Sequence, residues 1–168
     1  MPLFTPELHR LGEALLLCWQ RRGKVLTAGN GGSACDAIHL AEELVVRFRK
    51  PRKALAAIAL TDPGNLTCAG NDLGWESVFS RQIEALGNPG DFLIVFTTSG
   101  NSGNIVRAVE TAKSQQLQTV AFLGKDGGKL KGICDFEFHI PCKTTARVQE
   151  AHLMLYHCLC EWIDQRVD

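Results

Sequence analysis

KVLTAGNGGSACDAIHLAEE, residues 24–43, passes from a short apolar run through a glycine turn into an amphipathic helix. Gly29, Gly31 and Gly32 permit positive φ and close backbone approach, so Asn30 to Ser33 can present amide N–H groups at the positive end of a helix. His39 and Glu43 stand four residues apart and share one face of that helix. A pair at that spacing holds a metal ion or places a carboxylate for proton transfer. The plainer alternative is a tight βα turn followed by a satisfied polar pair. The turn lacks GxGxxG spacing and the chain has no GxxxxGK[ST] run, so nucleotide binding is poorly supported.

A second strand-to-helix turn shifts the balance. Residues 91–98, DFLIVFTT, run into Ser99-Gly100-Asn101-Ser102-Gly103-Asn104 and then into a helical pattern. Thr97, Thr98, Ser99 and Ser102 can donate hydroxyl hydrogen bonds to phosphate oxygens while the helix end adds partial positive charge, with no cation required. Spare serines at a helix cap are the alternative. Two such turns after two strands favour a phosphate or sugar-phosphate site.

At 168 residues and 45% hydrophobic, the chain suits one domain with one core, residues 1–168. Lys plus Arg equals Asp plus Glu at 18 each, so no global field gathers nucleic acid or an acidic membrane. Neither is expected as a partner. The local basic run 47–53 reads as a solvated helix end, or as placing Arg47 one turn beyond Glu43 to reach an anionic ligand. Seven cysteines without CxxC pairs or a signal peptide read as reduced core residues of a cytoplasmic protein. No apolar run approaches the ~20 residues of a spanning helix.

Apolar runs alternate with helical patterns along the whole chain. Thr5-Pro6-Glu7 opens a first helix with Leu8, Leu11, Leu15 and Trp19 facing inward. Strands are expected at 24–28, 54–60, 92–98, 118–124 and 135–140, and helices near 34–48, 65–70, 76–86, 104–114 and 145–165. That alternation calls for an α/β/α sandwich around a five-stranded parallel sheet, with ligands at the carboxyl ends of the strands. Both polar turns lie there. Gly124 to Lys129 is a further strand-end loop, expected to shape the pocket rim. In the last helix Gln149, His152 and His157 interrupt an apolar pattern, and Gln149 and His157 converge only on a target lying between their directions.

GNGGSACDAIHLAEE, CAGND with its Asn71-Asp72 pair, TTSGNSGNI, LGKDGG and ARVQEAHLMLYH together resemble the sugar isomerase (SIS) domain family, and within it the phosphoheptose isomerases. The resemblance covers about residues 20–165. It implies a flavodoxin-like fold, a homotetramer, and conversion of sedoheptulose 7-phosphate to D-glycero-D-manno-heptose 7-phosphate through an enediol, toward lipopolysaccharide core or other surface heptose. It implies zinc held by His39, Glu43, Gln149 and His157, with Glu43 as base and His157 as acid. A zinc-bound carboxylate or imidazole is a poorer proton carrier than a free one, so metal and proton roles are expected to alternate. Implied substrate contacts are Asn30, Gly31, Gly32, Glu43, Asn71, Asp72, Thr97, Thr98, Ser99, Ser102 and Gln149, joined by Ser33 and Arg47. Asp72 and His152 are the reserve bases. Two features depart from the family: the first strand comes one helix early, and the loop 142–147 with Cys158-Leu159-Cys160 resembles a noncatalytic adaptor that binds a replication initiator. The adaptor lacks the catalytic Glu and His that this chain keeps at 43 and 157. A sugar-phosphate sensor, needing only the Ser99–Ser102 turn, is a third reading.

Overall fold

The computed structural model describes residues 5–168. After α1 (Thr5–Gln20), the chain runs β1 (Val25–Gly29), α2 (Gly32–Val45), β2 (Ala57–Ala59), α3 (Pro63–Asp72), α4 (Ser80–Leu86), β3 (Phe92–Thr97), α5 (Gly103–Ser114), β4 (Gln118–Gly124), β5 (Phe136–Ile140) and α6 (Thr145–Asp164). The strands pair in parallel in the order β2-β1-β3-β4-β5. This is a flavodoxin-like order, and its direction reverses between β1 and β3. Gly29 and Thr97, the last residues of those strands, open the two polar turns.

Successive strand side chains feed two separate cores, as the period of two requires. Val25, Phe92, Ile94, Phe96 and Phe122 pack with α1, α2 and α6; Leu26, Ala28, Leu93, Val95 and Ala121 pack with α3, α4 and α5. The three-layer α/β sandwich expected from the sequence is therefore present. In α1, Leu8, Leu11 and Leu15 are buried, and Trp19 Nε1 donates to the Ala56 carbonyl across the edge of the sheet.

Several boundaries differ from the sequence expectation for local reasons. β2 has three residues because it is the edge strand, where a short run limits unwanted pairing. The helix expected at 76–86 divides into a 3₁₀ turn at Trp75–Ser77 and α4, because Val78 and Phe79 turn into the core. Of the seven free cysteines, Cys18 and Cys160 are buried while Cys35, Cys68 and Cys158 are exposed, which corrects the reading of all seven as core.

The largest revision concerns the basic run. Arg52 keeps 1% of its side chain exposed; it donates Nη2 to Glu43 O (2.6 Å), Nη1 to Leu44 O (2.9 Å) and Nε to Asp164 Oδ1 (2.8 Å). Those carbonyls would otherwise receive the N–H groups of residues 47 and 48, so α2 stops at Val45 instead of 48. Arg47 thus lies beyond the helix, exposed, donating to the Arg49 carbonyl, and not on the Glu43 face. Asp164→Ala would leave the Arg52 charge buried and unpaired, at a cost on the order of 3–5 kcal/mol. Urea unfolding should show a large fall in midpoint at unchanged slope; a midpoint within error of wild type would mean that water solvates this pair.

Candidate active site

At the reversal point of the sheet, Asn30, Ser33, Phe96, Thr97, Thr98, Ser99 and Ser102 line a hollow of about 70 Å³. Six of these seven are residues singled out from the sequence. The N-termini of α2 and α5 both lie at these turns, adding two positive helix ends. Thr97 Oγ1 accepts from Gly100 N (3.1 Å) and Ser99 Oγ from Asn101 N (3.2 Å), so both hydroxyl hydrogens stay free for a ligand. Ser102 makes no side-chain cap bond and is free as well. Asn30 is committed elsewhere: its amide exchanges two 2.9 Å hydrogen bonds with the amide of Asn104, which is 1% exposed and ties the two turns together. The loop after β4 buttresses this hollow. Gly100 has φ +64 and no room for a side chain, since an added Cβ would meet Gly127 O at 1.8 Å.

Farther along α2, His39 Nε2 lies 3.1 Å from Glu43 Oε1, and one donor atom each from His39, Glu43 and His157 lie within 4.8 Å of one another. The spacing of four on α2 and the inward turn of α6 create this group. His39 and His157 meet edge-on at 5.0 Å, and Phe48 covers His157 at 5.3 Å. His157 Nε2 is buried without a hydrogen-bond partner among the described residues. Burial, followed by the neighbouring His39, lowers the His157 pKa from its ordinary value, against the pull of Glu43. The donor set fits a zinc ion: two nitrogens and a carboxylate oxygen match its preferences, and donors about 2.1 Å from one tetrahedral centre stand roughly 3.4 Å apart.

Gln149, Asn71, Asp72 and His152 make other contacts. Gln149, half-buried, packs its amide on Gly32, where an added Cβ would meet Nε2 at 2.3 Å. It stands two turns of α6 before His157. Asn71 and Asp72 end α3 in exposed positions and bond to each other (2.7 Å), with Asp72 bordering a different cavity of about 610 Å³ between α3 and α4. Within one chain they do not join the hollow. His152 is fully buried between Phe96 and Phe122 with Nε2 on the Leu123 carbonyl (3.2 Å), which removes it as a reserve base.

Three participants escaped the sequence reading. Tyr156 Oη lies 2.9 Å from His39 Nδ1. Asp36, one turn before His39, is 6% exposed with Oδ2 unpartnered among the described residues, and burial raises its pKa to about 6 despite the opposing influence of His39. Asn104 is the third. Asp36 carried a usable signal, because it shares the 36, 39, 43 stripe of α2; Tyr156 fits an apolar helix pattern and gave none.

A parallel sheet of this order with hydroxyl-rich turns at its reversal point defines a sugar-phosphate-binding α/β protein, and the family described as SIS domain matches residues 5–124. A Fusobacterium nucleatum phosphoheptose isomerase is 52% identical over 159 residues, 95% of this chain and 82% of that protein. The Vibrio vulnificus enzyme of that name is 47% identical over 96% of this chain and 85% of its own length. The solved structure of a Francisella tularensis phosphoheptose isomerase superposes with a TM-score of 0.91 at 40% identity, covering 96% of this chain and 86% of that one. The chain belongs to the phosphoheptose isomerase family. Among the described residues, no helix is long and apolar enough to cross a membrane.

Burial lowers the His152 pKa from 6.5 to about 4, against the hydrogen bond to Leu123. Between those values the unfolded chain binds a proton that the folded chain refuses, so this group's contribution of up to about 3 kcal/mol is present above pH 6.5 and lost as pH falls toward 4. Asp36, with its raised pKa, acts in the opposite sense below about 6. The measurement is therefore the difference between wild type and His152→Gln in unfolding free energy across pH 4–7. The variant should lose less stability on acidification, and parallel profiles would refute the assignment.

Proposed function

We propose that the chain is an aldose–ketose isomerase, converting sedoheptulose 7-phosphate to D-glycero-D-manno-heptose 7-phosphate on the way to surface heptose. The observation that carries this reading is the pairing of a phosphate-sized, hydroxyl-lined hollow with a His39–Glu43–His157 group on the same helix pair. α2 acts as the ruler, rising about 9 Å from Ser33 to His39 and about 15 Å to Glu43. A seven-carbon sugar phosphate anchored in the hollow reaches the level of His39, toward which the Glu43 side chain leans back along the helix; a triose phosphate falls short. No observation favours the adaptor, and the sensor leaves the second group unused.

Ser33, Thr97, Thr98, Ser99 and Ser102 bind the phosphate by hydroxyls and helix-end amides. Glu43, with 14% of its side chain exposed, removes a proton from C1 and returns it to C2 through the cis-enediol. His157, kept neutral by its lowered pKa, moves the matching proton between the oxygens. Gln149, seated over Gly32, offers its amide to the sugar oxygens. His39, Glu43 and His157, with Gln149 as the fourth ligand, would hold zinc; bound there, it would stabilise negative charge on the reacting oxygens.

We further propose that residues 1–168 form one domain of a homotetramer working in the cytoplasm. Ile38 and Val45 on α2, Val46 just past its end, and Leu153 and Met154 on α6 leave 38–59% of their surface exposed, an arrangement that a second subunit would cover. Asn71 and Asp72 would reach substrate only across such a boundary.

Glu43→Gln and His157→Asn should each lower turnover ~10²–10⁴-fold while sugar-phosphate binding survives. The Ser99→Ala, Ser102→Ala double variant should instead weaken binding, by ~1.5–3 kcal/mol per charged hydrogen bond lost. Isothermal titration and a coupled aldose assay separate the two; full activity in Glu43→Gln would end the case for Glu43 as base. Light scattering at micromolar concentration should give a tetramer, and a monomer that turns over substrate would refute the assembly.

A further inference from the structure

Tyr156 is fully buried where α6 packs on α2, and its ring meets His39 edge-on at 5.6 Å and His157 edge-on at 4.9 Å. Its hydroxyl oxygen, 2.9 Å from His39 Nδ1, touches the one ring nitrogen of His39 that faces away from Glu43. We propose that Tyr156 is a positioning residue: its hydroxyl fixes the plane of the His39 imidazole and stays bonded to Nδ1 whichever ring nitrogen carries the proton. The inference rests on the metal reading of His39, Glu43 and His157, and extends it to a residue that contacts no ligand itself.

A neutral imidazole has one N–H and one lone pair. With Nε2 at 3.1 Å from the Glu43 carboxylate, the proton belongs on Nε2, donating to Glu43, and Nδ1 accepts the Tyr156 O–H. A cation at Nε2 requires that lone pair, so one proton leaves Nε2, one arrives at Nδ1, and the ring stays neutral. Nδ1–H then donates to the Tyr156 oxygen. A hydroxyl serves both states because it donates and accepts, whereas a carboxylate or carbonyl in its place would only accept. In the second state the Tyr156 O–H needs a new acceptor, and the buried Oδ2 of Asp36, unpartnered among the described residues and one turn before His39 on α2, is the candidate.

Tyr156 is the chain's single tyrosine, so global monofluorotyrosine labelling alters one ring. Imidazole nitrogen NMR of the metal-free wild type should show His39 protonated at Nε2, moving to Nδ1 on addition of zinc. Metal-free Tyr156→Phe should keep the Nε2 proton that Glu43 holds but move the Nδ1 signal that loses its hydrogen bond, and zinc competition against a chromophoric chelator should show ~10–100-fold weaker binding. An unmoved His39 Nδ1 signal in Tyr156→Phe, with zinc affinity within about twofold of wild type, overturns the proposal. If the wild type takes up no zinc, the metal reading fails and the metal-free Nδ1 comparison alone decides the role of Tyr156. Should Tyr156→Phe fail to fold, the fluorinated protein replaces it: the more acidic phenol should shift the His39 nitrogen signals, and unmoved signals overturn the proposal.

Discussion

The parallel contact between α2 and α6 is held at its far end by the Arg52–Asp164 pair, and the cluster of His39, Glu43 and His157 depends on that contact. One guanidinium closes the last carbonyls of α2 and grips the last residue of α6. Asp164 Oδ2 also accepts from Arg49 N (2.9 Å). A buried ion pair is not by itself a source of stability, because desolvation offsets most of the attraction. Its value here is register. The guanidinium meets the α2 carbonyls and the α6 carboxylate in a fixed fork geometry, so sliding either helix would break several hydrogen bonds at once.

The opposite end of α2 is fixed by neutral groups. The reciprocal Asn30–Asn104 amide pair joins the turns after β1 and β3, and the Gly100–Gly127 backbone contact leaves the second turn little freedom. On the proposed reading, phosphate is anchored by hydroxyls and helix ends on one turn of a rigid rod and proton transfer occurs on another, so remote binding energy can orient C1 and C2 without disturbing the base.

How far the sequence discloses this arrangement depends on whether a residue's role is local. Strand runs, the glycine turns and the His39–Glu43 spacing are local and appear where the pattern puts them, apart from the shortened β2; so do Ser33, Thr97, Thr98, Ser99 and Ser102 in one hollow. Arg52 reads as one basic residue among five, because its burial depends on Asp164, 112 positions away. Arg47 is misread for the same reason, since the end of α2 is set by Arg52 and not by its own residues. Tyr156 satisfies the apolar period of α6, so its hydroxyl carries no signal until His39 is placed beside it. Gln149 is conspicuous in sequence, yet its contact with Gly32 follows from how α6 crosses the start of α2.

Among the described residues, five buried side-chain polar atoms lack a partner, and four of them lie on α2 and α6, at Asp36, His152, His157 and Trp162. Unmade buried hydrogen bonds are unfavourable by ~1–3 kcal/mol each, so folds tolerate them mainly where another requirement prevails. His152 has a structural explanation, since Nε2 must reach Leu123 and the ring is walled by Phe96 and Phe122. Asp36 and His157 have none in the chain alone. His157 meets His39 edge-on, and Asp36 lies one turn before it on α2. These unmade hydrogen bonds thus gather beside the proposed site, while the Arg52–Asp164 pair ties the two helices together at the far end.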